Sequence, residues 1–124
     1  MTPEQLIAAA LAQRAQWVDL GDGKRARVRR PSEWDTRGLL QRDDEGKVAG
    51  IAADLPEAKR FVVGWDGFKE SDLISGGADD PVDFHADLWA VWIEDNRKAL
   101  ALVAQAIIDA VIAHETARLG TEKN

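Results

Sequence analysis

Four aspartates in the second half of the chain come closest to a metal-binding pattern: Asp79, Asp80, Asp83 and Asp87. A calcium loop has oxygen ligands at alternate positions, a glycine at the sixth and a glutamate at its end, and this segment does not follow that order. Aspartates also cap helices, which explains the cluster more simply. We therefore expect no metal here.

The two histidines, His85 and His114, do not belong to a recognisable catalytic set. The chain has no cysteine, no serine in a nucleophile-elbow context and no phosphate-binding glycine loop. Each histidine lies near an expected helix end, where a local structural role is the simpler interpretation. We therefore expect a protein that is not an enzyme and needs no cofactor.

Three arginines at alternate positions, Arg25, Arg27 and Arg29, are expected to project from one face of a β-strand. The simpler interpretation is a charged edge that resists aggregation. The functional interpretation is a basic face for an acidic partner, such as a second copy of this acidic chain. A ribbon that reads duplex DNA is a weaker alternative, because the net charge of −6 would repel phosphate.

The composition is that of one soluble domain. A chain of 124 residues with 45 % apolar residues can bury a core, and its 31 % charged residues can cover that core. We identify no signal peptide, and charges interrupt the apolar runs well short of a membrane span. The five tryptophans are expected mostly in the core, with one or two on a protein-binding surface.

The elements that must position these residues begin with a helix. A capping box of Thr2 and Gln5 predicts a helix that runs to about Arg14. The apolar face of this helix is narrow, so the helix needs a partner surface. Alternating residues on both sides of the turn at Gly21–Gly23 predict a β-hairpin over Gln16–Arg30.

The middle of the chain is predicted to hold two helices around a loop. Ser32 is a candidate cap for a short helix over Glu33–Leu40, and the polar segment Gln41–Gly50 is predicted to be a mobile loop. A second helix is predicted from Leu55 to about Val63, although its β-branched end also permits a strand.

A candidate fold-determining turn follows at Gly64, Trp65, Asp66 and Gly67, and it is expected to aim the Trp65 indole into the core.

The second half is predicted to be helical. One helical turn at Glu70–Ile74 precedes helices over Asp83–Glu94 and Arg97–Leu119, and Gly120 is expected to end the last one. The apolar stripe of the last helix is wide, so its excess could face another subunit or a client. The candidate protein-binding residues are Trp89, Trp92, Leu100, Val103, Ile107 and Val111.

These elements together predict an α+β fold that is mostly helical, in a single domain over 1–124. A helix and a small β-hairpin occupy 1–40, the mobile loop 41–53, the helical half 54–119 and a polar tail 120–124.

One family resemblance rests on the second half. The Gly64–Gly67 turn after a short apolar run, the acidic glycine-rich loop, the Pro81 and Phe84 step and the amphipathic helices that follow are similar to those of tail assembly chaperones of long-tailed (siphovirus-type) phages. The resemblance covers residues 54–124.

The resemblance implies a function without catalysis. Proteins of this family coat the tape measure protein, keep it soluble and help to recruit tail tube subunits, without a cofactor. It therefore implies the tape measure protein and the tail tube protein as partners, and the cytoplasm of a bacterial host as location. Self-association is a further expectation, and neither membrane nor nucleic acid is an expected partner. The alternatives are a minor virion protein for tail completion or head–tail joining, and a small nucleic-acid-binding regulator.

The resemblance also suggests a test in the gene. Many members are made in two lengths through a programmed −1 ribosomal frameshift, and the chain closes with Glu122, Lys123 and Asn124. The codons GAA, AAA and AAC would contain the slippery sequence A AAA AAC. An AAG codon at Lys123, or no open −1 frame beyond Asn124, would remove this support.

Overall fold

The computed structural model describes the backbone of residues 1–123 and the side chains of residues 1–120. Its helices are α1 (Pro3–Gln13), α2 (Glu33–Thr36), α3 (Leu55–Arg60), α4 (Glu70–Leu73), α5 (Ala86–Glu94) and α6 (Arg97–Lys123). Its strands are β1 (Ala15–Gly21), β2 (Lys24–Arg29), β3 (Leu40–Arg42), β4 (Val48–Ile51) and β5 (Val62–Asp66). The fold is α+β and mostly helical, as predicted.

A three-stranded antiparallel sheet in the order β1-β2-β5 forms one layer of the fold. Successive side chains of a strand point to opposite faces. Ala26 and Val28 of β2 are therefore buried in the core, and the three arginines of the strand lie on the other face. The predicted hairpin is confirmed.

α6 covers the apolar face of this sheet and also contacts α3 and α5. Its fully buried residues recur every four positions, which places them on one stripe of the helix: Ala99, Val103, Ile107 and Val111. By length and apolar content, Arg97–Gly120 could also cross a membrane. That match is weak evidence, because helices that cover a core pass the same test. In this chain α6 packs on the sheet along one stripe, and 22 % of its most apolar window is buried.

Aromatic rings fill the space between β5 and α5. Trp65 stacks on Phe68 with ring centroids 4.2 Å apart, and Phe68 meets the edge of Trp92 at 4.9 Å. The Trp65 indole nitrogen donates a hydrogen bond of 2.7 Å to the carbonyl oxygen of Val82. The prediction that Trp65 enters the core is confirmed, since the residue is buried.

The predicted turn at Gly64–Gly67 is wrong in its extent. Gly64, Trp65 and Asp66 belong to β5, where Gly64 lies opposite Arg27 of β2. Within these four residues, Gly67 alone has a positive φ, of 81°. A Cβ at this position would lie 2.1 Å from the carbonyl oxygen of Gly23. The turn therefore requires glycine at this one position.

Three helix predictions are corrected by the structure. α3 ends at Arg60 rather than near Val63, because Val62 pairs with β2 and β-branched residues suit a strand. α2 ends at Thr36 and continues as a 3₁₀ turn to Leu39. α5 begins at Ala86 rather than at Asp83, because His85 adopts the extended backbone of an N-cap.

The segment predicted as a mobile loop, Gln41–Gly50, lies largely in a second hairpin. β3 pairs with β4 in an antiparallel two-stranded sheet, with Leu40 opposite Ile51. The Asp43 carboxylate accepts hydrogen bonds of 2.9 Å from the backbone nitrogens of Glu45 and Lys47, which fixes the turn. Local hydrogen bonding by aspartate explains how a polar, charged segment forms this structure.

The predicted end of α6 at Gly120 is also wrong, because the helix continues through Lys123. Glycine permits a helix to end but does not require it. The predicted polar tail is thus helical over 120–123, and Asn124 lies outside the described residues.

Candidate protein-binding surface

The residues that the sequence nominated for protein binding belong to the core. Trp89, Val103, Ile107 and Val111 are buried, and Trp92 and Leu100 are partly buried against the same core. The reason is the position of α6 and α5, whose apolar stripes are used to cover the sheet and α3. These six side chains therefore do not form a free docking surface.

The three arginines of β2 have different surroundings. The Arg25 guanidinium lies 2.9 Å from the Asp66 carboxylate and 4.5 Å from the centroid of the Trp17 ring. Arg27 and Arg29 form no ion pair with any carboxylate in the part of the chain that the structure describes. The predicted basic face thus contains one satisfied arginine and two that are available to a partner.

The cross-strand neighbours explain this difference. Arg25 is paired in register with Asp19 of β1 and with Asp66 of β5, so it lies between two acidic positions. Arg27 is paired with Trp17 and Gly64, and Arg29 is paired with Ala15. The sheet therefore offers no carboxylate directly beside the second and third arginine.

α1 is the one helix of eight residues or more, among those with fully described side chains, that buries no residue. Its large apolar side chains Leu6, Ile7 and Leu11 are 54 %, 60 % and 39 % exposed. A capping box at Thr2 and Gln5 supports its first turn, as predicted. The partner surface that the sequence demanded for this helix is therefore largely missing within the chain.

A groove separates α1 from the arginine face of the sheet. It has a volume of about 290 Å³. We call it the α1 groove and define it by its lining residues, which are Ala8, Leu11, Ala12, Ala15, Arg27, Arg29 and Val63. Its walls are apolar, and its charges come from the two arginines without carboxylate partners.

The charge around the groove contrasts with that of the rest of the chain. Residues 70–96 carry eight carboxylates and no lysine or arginine: Glu70, Asp72, Asp79, Asp80, Asp83, Asp87, Glu94 and Asp95. The charged residues that line the groove itself are Arg27 and Arg29. A locally positive groove on an acidic protein favours acidic partners over basic ones.

A second cleft, of about 580 Å³, lies beside the exposed Trp34. Its arginines are each engaged within the chain. Arg37 lies over the Trp34 ring at 5.0 Å, Arg60 is paired with Asp35 at 2.7 Å, and Arg42 donates to the Gly46 carbonyl oxygen at 2.9 Å. This cleft therefore has less capacity for a charged ligand than its composition suggests.

A third and larger cavity, of about 640 Å³, lies between α2, the β3–β4 hairpin and α6. Next to it, His114 Nε2 lies 3.7 Å from the Glu33 carboxylate. His114 lies well inside α6 rather than at its end, which corrects the sequence interpretation. His85 Nδ1 accepts a hydrogen bond of 3.1 Å from the Asp87 backbone nitrogen and so caps α5, as its predicted local role implies.

No metal site accompanies these cavities in the described residues. The structure brings no three His, Asp or Glu side chains into a group that could hold an ion there. The carboxylates at 79, 80, 83 and 87, which prompted the metal hypothesis, are spread over the loop and the first turn of α5.

Sequence reasoning missed the α1 groove. The signal was the narrow apolar face of α1 next to an arginine-rich strand, but the two segments are adjacent only through the β1–β2 pairing.

No protein-family model, curated protein or solved structure matches this chain.

Proposed function

We propose that this protein is a tail assembly chaperone of a long-tailed phage or prophage. It binds the tape measure protein in the cytoplasm of the bacterial host, keeps it soluble during tail assembly and makes or breaks no covalent bond. The observation that carries the proposal is the exposed apolar face of α1, because this face has no counterpart within the described chain.

An exposed apolar helix is costly without a partner. Helices shorter than about 12–15 residues are marginal in water, and most helical stability in proteins comes from packing of an apolar face. α1 has 11 residues and packs no side chain into the core. A partner that covers Leu6, Ile7 and Leu11 would supply the missing packing and would be held in return.

The shape of the α1 groove suits a helical client. One wall is a helix and the floor is a twisted sheet, so a second helix can lie beside α1 and cover Val63 and Leu11 together. Tape measure proteins are long and helical, and their apolar stripes must be shielded until the tail tube forms around them. A chaperone that covers short helical stretches with many copies meets that need.

The test is co-expression with the long helical reading frame expected beside this gene. The intact chaperone should raise the soluble fraction of the tape measure protein, and the substitutions Leu6→Gln, Ile7→Gln and Leu11→Gln should abolish that effect. The matched control is Val91→Gln with Ile112→Gln, which alters equally exposed apolar side chains away from the groove.

Two outcomes would overturn the proposal. The first is a tape measure protein that stays insoluble when it is co-expressed with the intact chain, because this chain then does not act as its chaperone. Mass spectrometry of purified virions gives the second outcome, because a chaperone leaves the finished tail. A constant number of copies per virion would instead identify a minor virion protein.

A further inference from the structure

We infer that the α1 groove selects amphipathic helices whose apolar stripe is flanked by carboxylates at positions i and i+4. The inference rests on the proposed function for the identity of the client, and it adds the chemistry that the client must carry. Two observations support it: the exposed apolar side chains of α1, and the two arginines of the floor, which pair with no carboxylate in the described part of the chain.

The apolar residues of the groove determine the apolar stripe that a client helix must carry. The groove is lined by Ala8, Leu11 and Ala12 of α1 and by Val63 of β5, and the small alanine side chains leave room for those of a client. Ile7 lies one helical turn before Leu11 and is 60 % exposed, so it continues the apolar row of Leu11 beyond the lining residues. A partner helix that packs here buries the apolar residues that this chain leaves exposed.

The arginine floor defines the charge pattern. Arg27 and Arg29 are two residues apart on β2, which separates them by about 6.6 Å along the strand. Residues i and i+4 of an α-helix are about 6 Å apart along its axis and lie on one face. A client helix that runs along β2 can therefore place one carboxylate on each guanidinium.

Both arginines are partly buried, and each carries its charge beside apolar walls. Arginine pairs well with carboxylates because its planar fork donates two parallel hydrogen bonds. A client with lysine at the same positions would bring like charges together, which disfavours its binding. The groove thus discriminates between helices of equal apolarity by the sign of their flanking charge.

A single-stranded nucleic acid would also be attracted by two arginines, but the apolar walls do not suit it. Proteins that bind single strands combine a basic groove with aromatic side chains on which successive bases stack. The lining of the α1 groove contains no aromatic residue. The experiment below includes an oligonucleotide so that this occupant is tested directly.

Two synthetic helical peptides of about 20 residues, or about 30 Å, test the inference. They share one leucine stripe, and the flanking i and i+4 positions are glutamate in one peptide and lysine in the other. Fluorescence anisotropy should give about tenfold tighter binding of the glutamate peptide at low salt, with a smaller preference at high salt.

Charge reversal on the chain sharpens this test. Arg27→Glu with Arg29→Glu should remove or invert the preference between the peptides. Arg97→Glu with Lys98→Glu makes the same change in net charge at the exposed start of α6 and should leave the preference unchanged.

Three results would overturn the inference: equal binding of the two peptides, a preference that survives the reversal at 27 and 29, or tighter binding of an oligonucleotide than of either peptide. A dimer of the intact chain that dissociates on Leu6→Gln, Ile7→Gln and Leu11→Gln would also overturn it, because a second copy would then occupy the groove.

Failure of the inference can be distinguished from failure of the proposed function. If the charge-reversed chain still keeps the tape measure protein soluble, the chaperone function stands and the charge selection is wrong. If the glutamate peptide is preferred but the tape measure protein stays insoluble, the groove chemistry stands and the proposed client is wrong.

Discussion

The indole nitrogen of Trp89 donates a hydrogen bond to the carbonyl oxygen of Ala58, 2.8 Å away, inside the core. The bond joins α5 to the middle of α3, and both residues are fully buried. The indole therefore holds two helices together and is not an anchor for a partner.

Trp89→Phe tests this role. The substitution removes the hydrogen bond and leaves a cavity where the second ring was, so we expect a loss of about 2–3 kcal/mol in the free energy of unfolding. Trp34→Phe is the matched control, because Trp34 is 76 % exposed, and its effect should be within about 0.5 kcal/mol. Urea unfolding followed by circular dichroism gives both values. Equal losses for the two variants would contradict the assignment of Trp89 to the core.

Gly67→Ala is expected to be the most damaging glycine substitution. It combines a left-handed backbone with a Cβ 2.1 Å from the Gly23 carbonyl oxygen, so the free energy of unfolding should fall by roughly 3 kcal/mol or more. Gly76→Ala has the same φ of 81° but open space around it, and its cost should be about 1–2 kcal/mol. The difference between the two variants measures the part of the loss in unfolding free energy that comes from the contact between the new Cβ and Gly23. Similar values would mean that β5 and the β1–β2 turn are not in close contact.

Acid should destabilise the contact between Asp72 and Lys24. Burial raises the pKa of Asp72. Hydrogen bonds from the Lys69 backbone and from Lys24, 3.1 Å away, together lower this pKa by more than burial raises it, so the net shift is downward. A carboxyl with a lowered folded-state pKa stabilises the protein above its unfolded pKa of about 3.9, and this contribution is lost as the pH falls through the folded value.

Asp72→Asn should therefore cost about 1 kcal/mol at pH 7, and the deficit should shrink below about pH 4. Asp44→Asn, on the exposed β3–β4 turn, is the control and should change little. Denaturant unfolding at a series of pH values measures both variants. A deficit that grows as the solution becomes acidic would show that the sign of the linkage is wrong.

Exposure of α1 predicts that its apolar residues contribute little to stability. The triple substitution Leu6→Gln, Ile7→Gln and Leu11→Gln keeps good helix formers and should change the free energy of unfolding by less than about 1 kcal/mol. Val103→Ala, at a fully buried position, should cost about 2 kcal/mol and serves as the comparison. Thermal or urea unfolding distinguishes them. A triple variant as unstable as Val103→Ala would mean that α1 is part of the core and is not a docking wall.

Local signals in the sequence predicted the elements whose structure is decided locally. The Thr2 and Gln5 capping box begins α1, and the turn at Gly21–Gly23 closes the hairpin, because both depend on residues within a few positions of each other. Where partners are distant, local signals failed. The β-branched residues Val62 and Val63 permit either a helix end or a strand, and the pairing of Val62 with Val28 of β2 decides for the strand.

By itself, the sequence determined the fold class, the absence of cysteine chemistry, and the stripe of α6 that had to be buried, because periodicity and composition are written into consecutive residues. The tertiary structure decided which apolar residues remain exposed. It covered the sheet with the stripe of α6, left Leu6, Ile7 and Leu11 of α1 exposed, and kept Arg27 and Arg29 away from the carboxylates of the described residues. The physical reason is that burial and charge pairing depend on neighbours in space, which are set by strand register and helix packing.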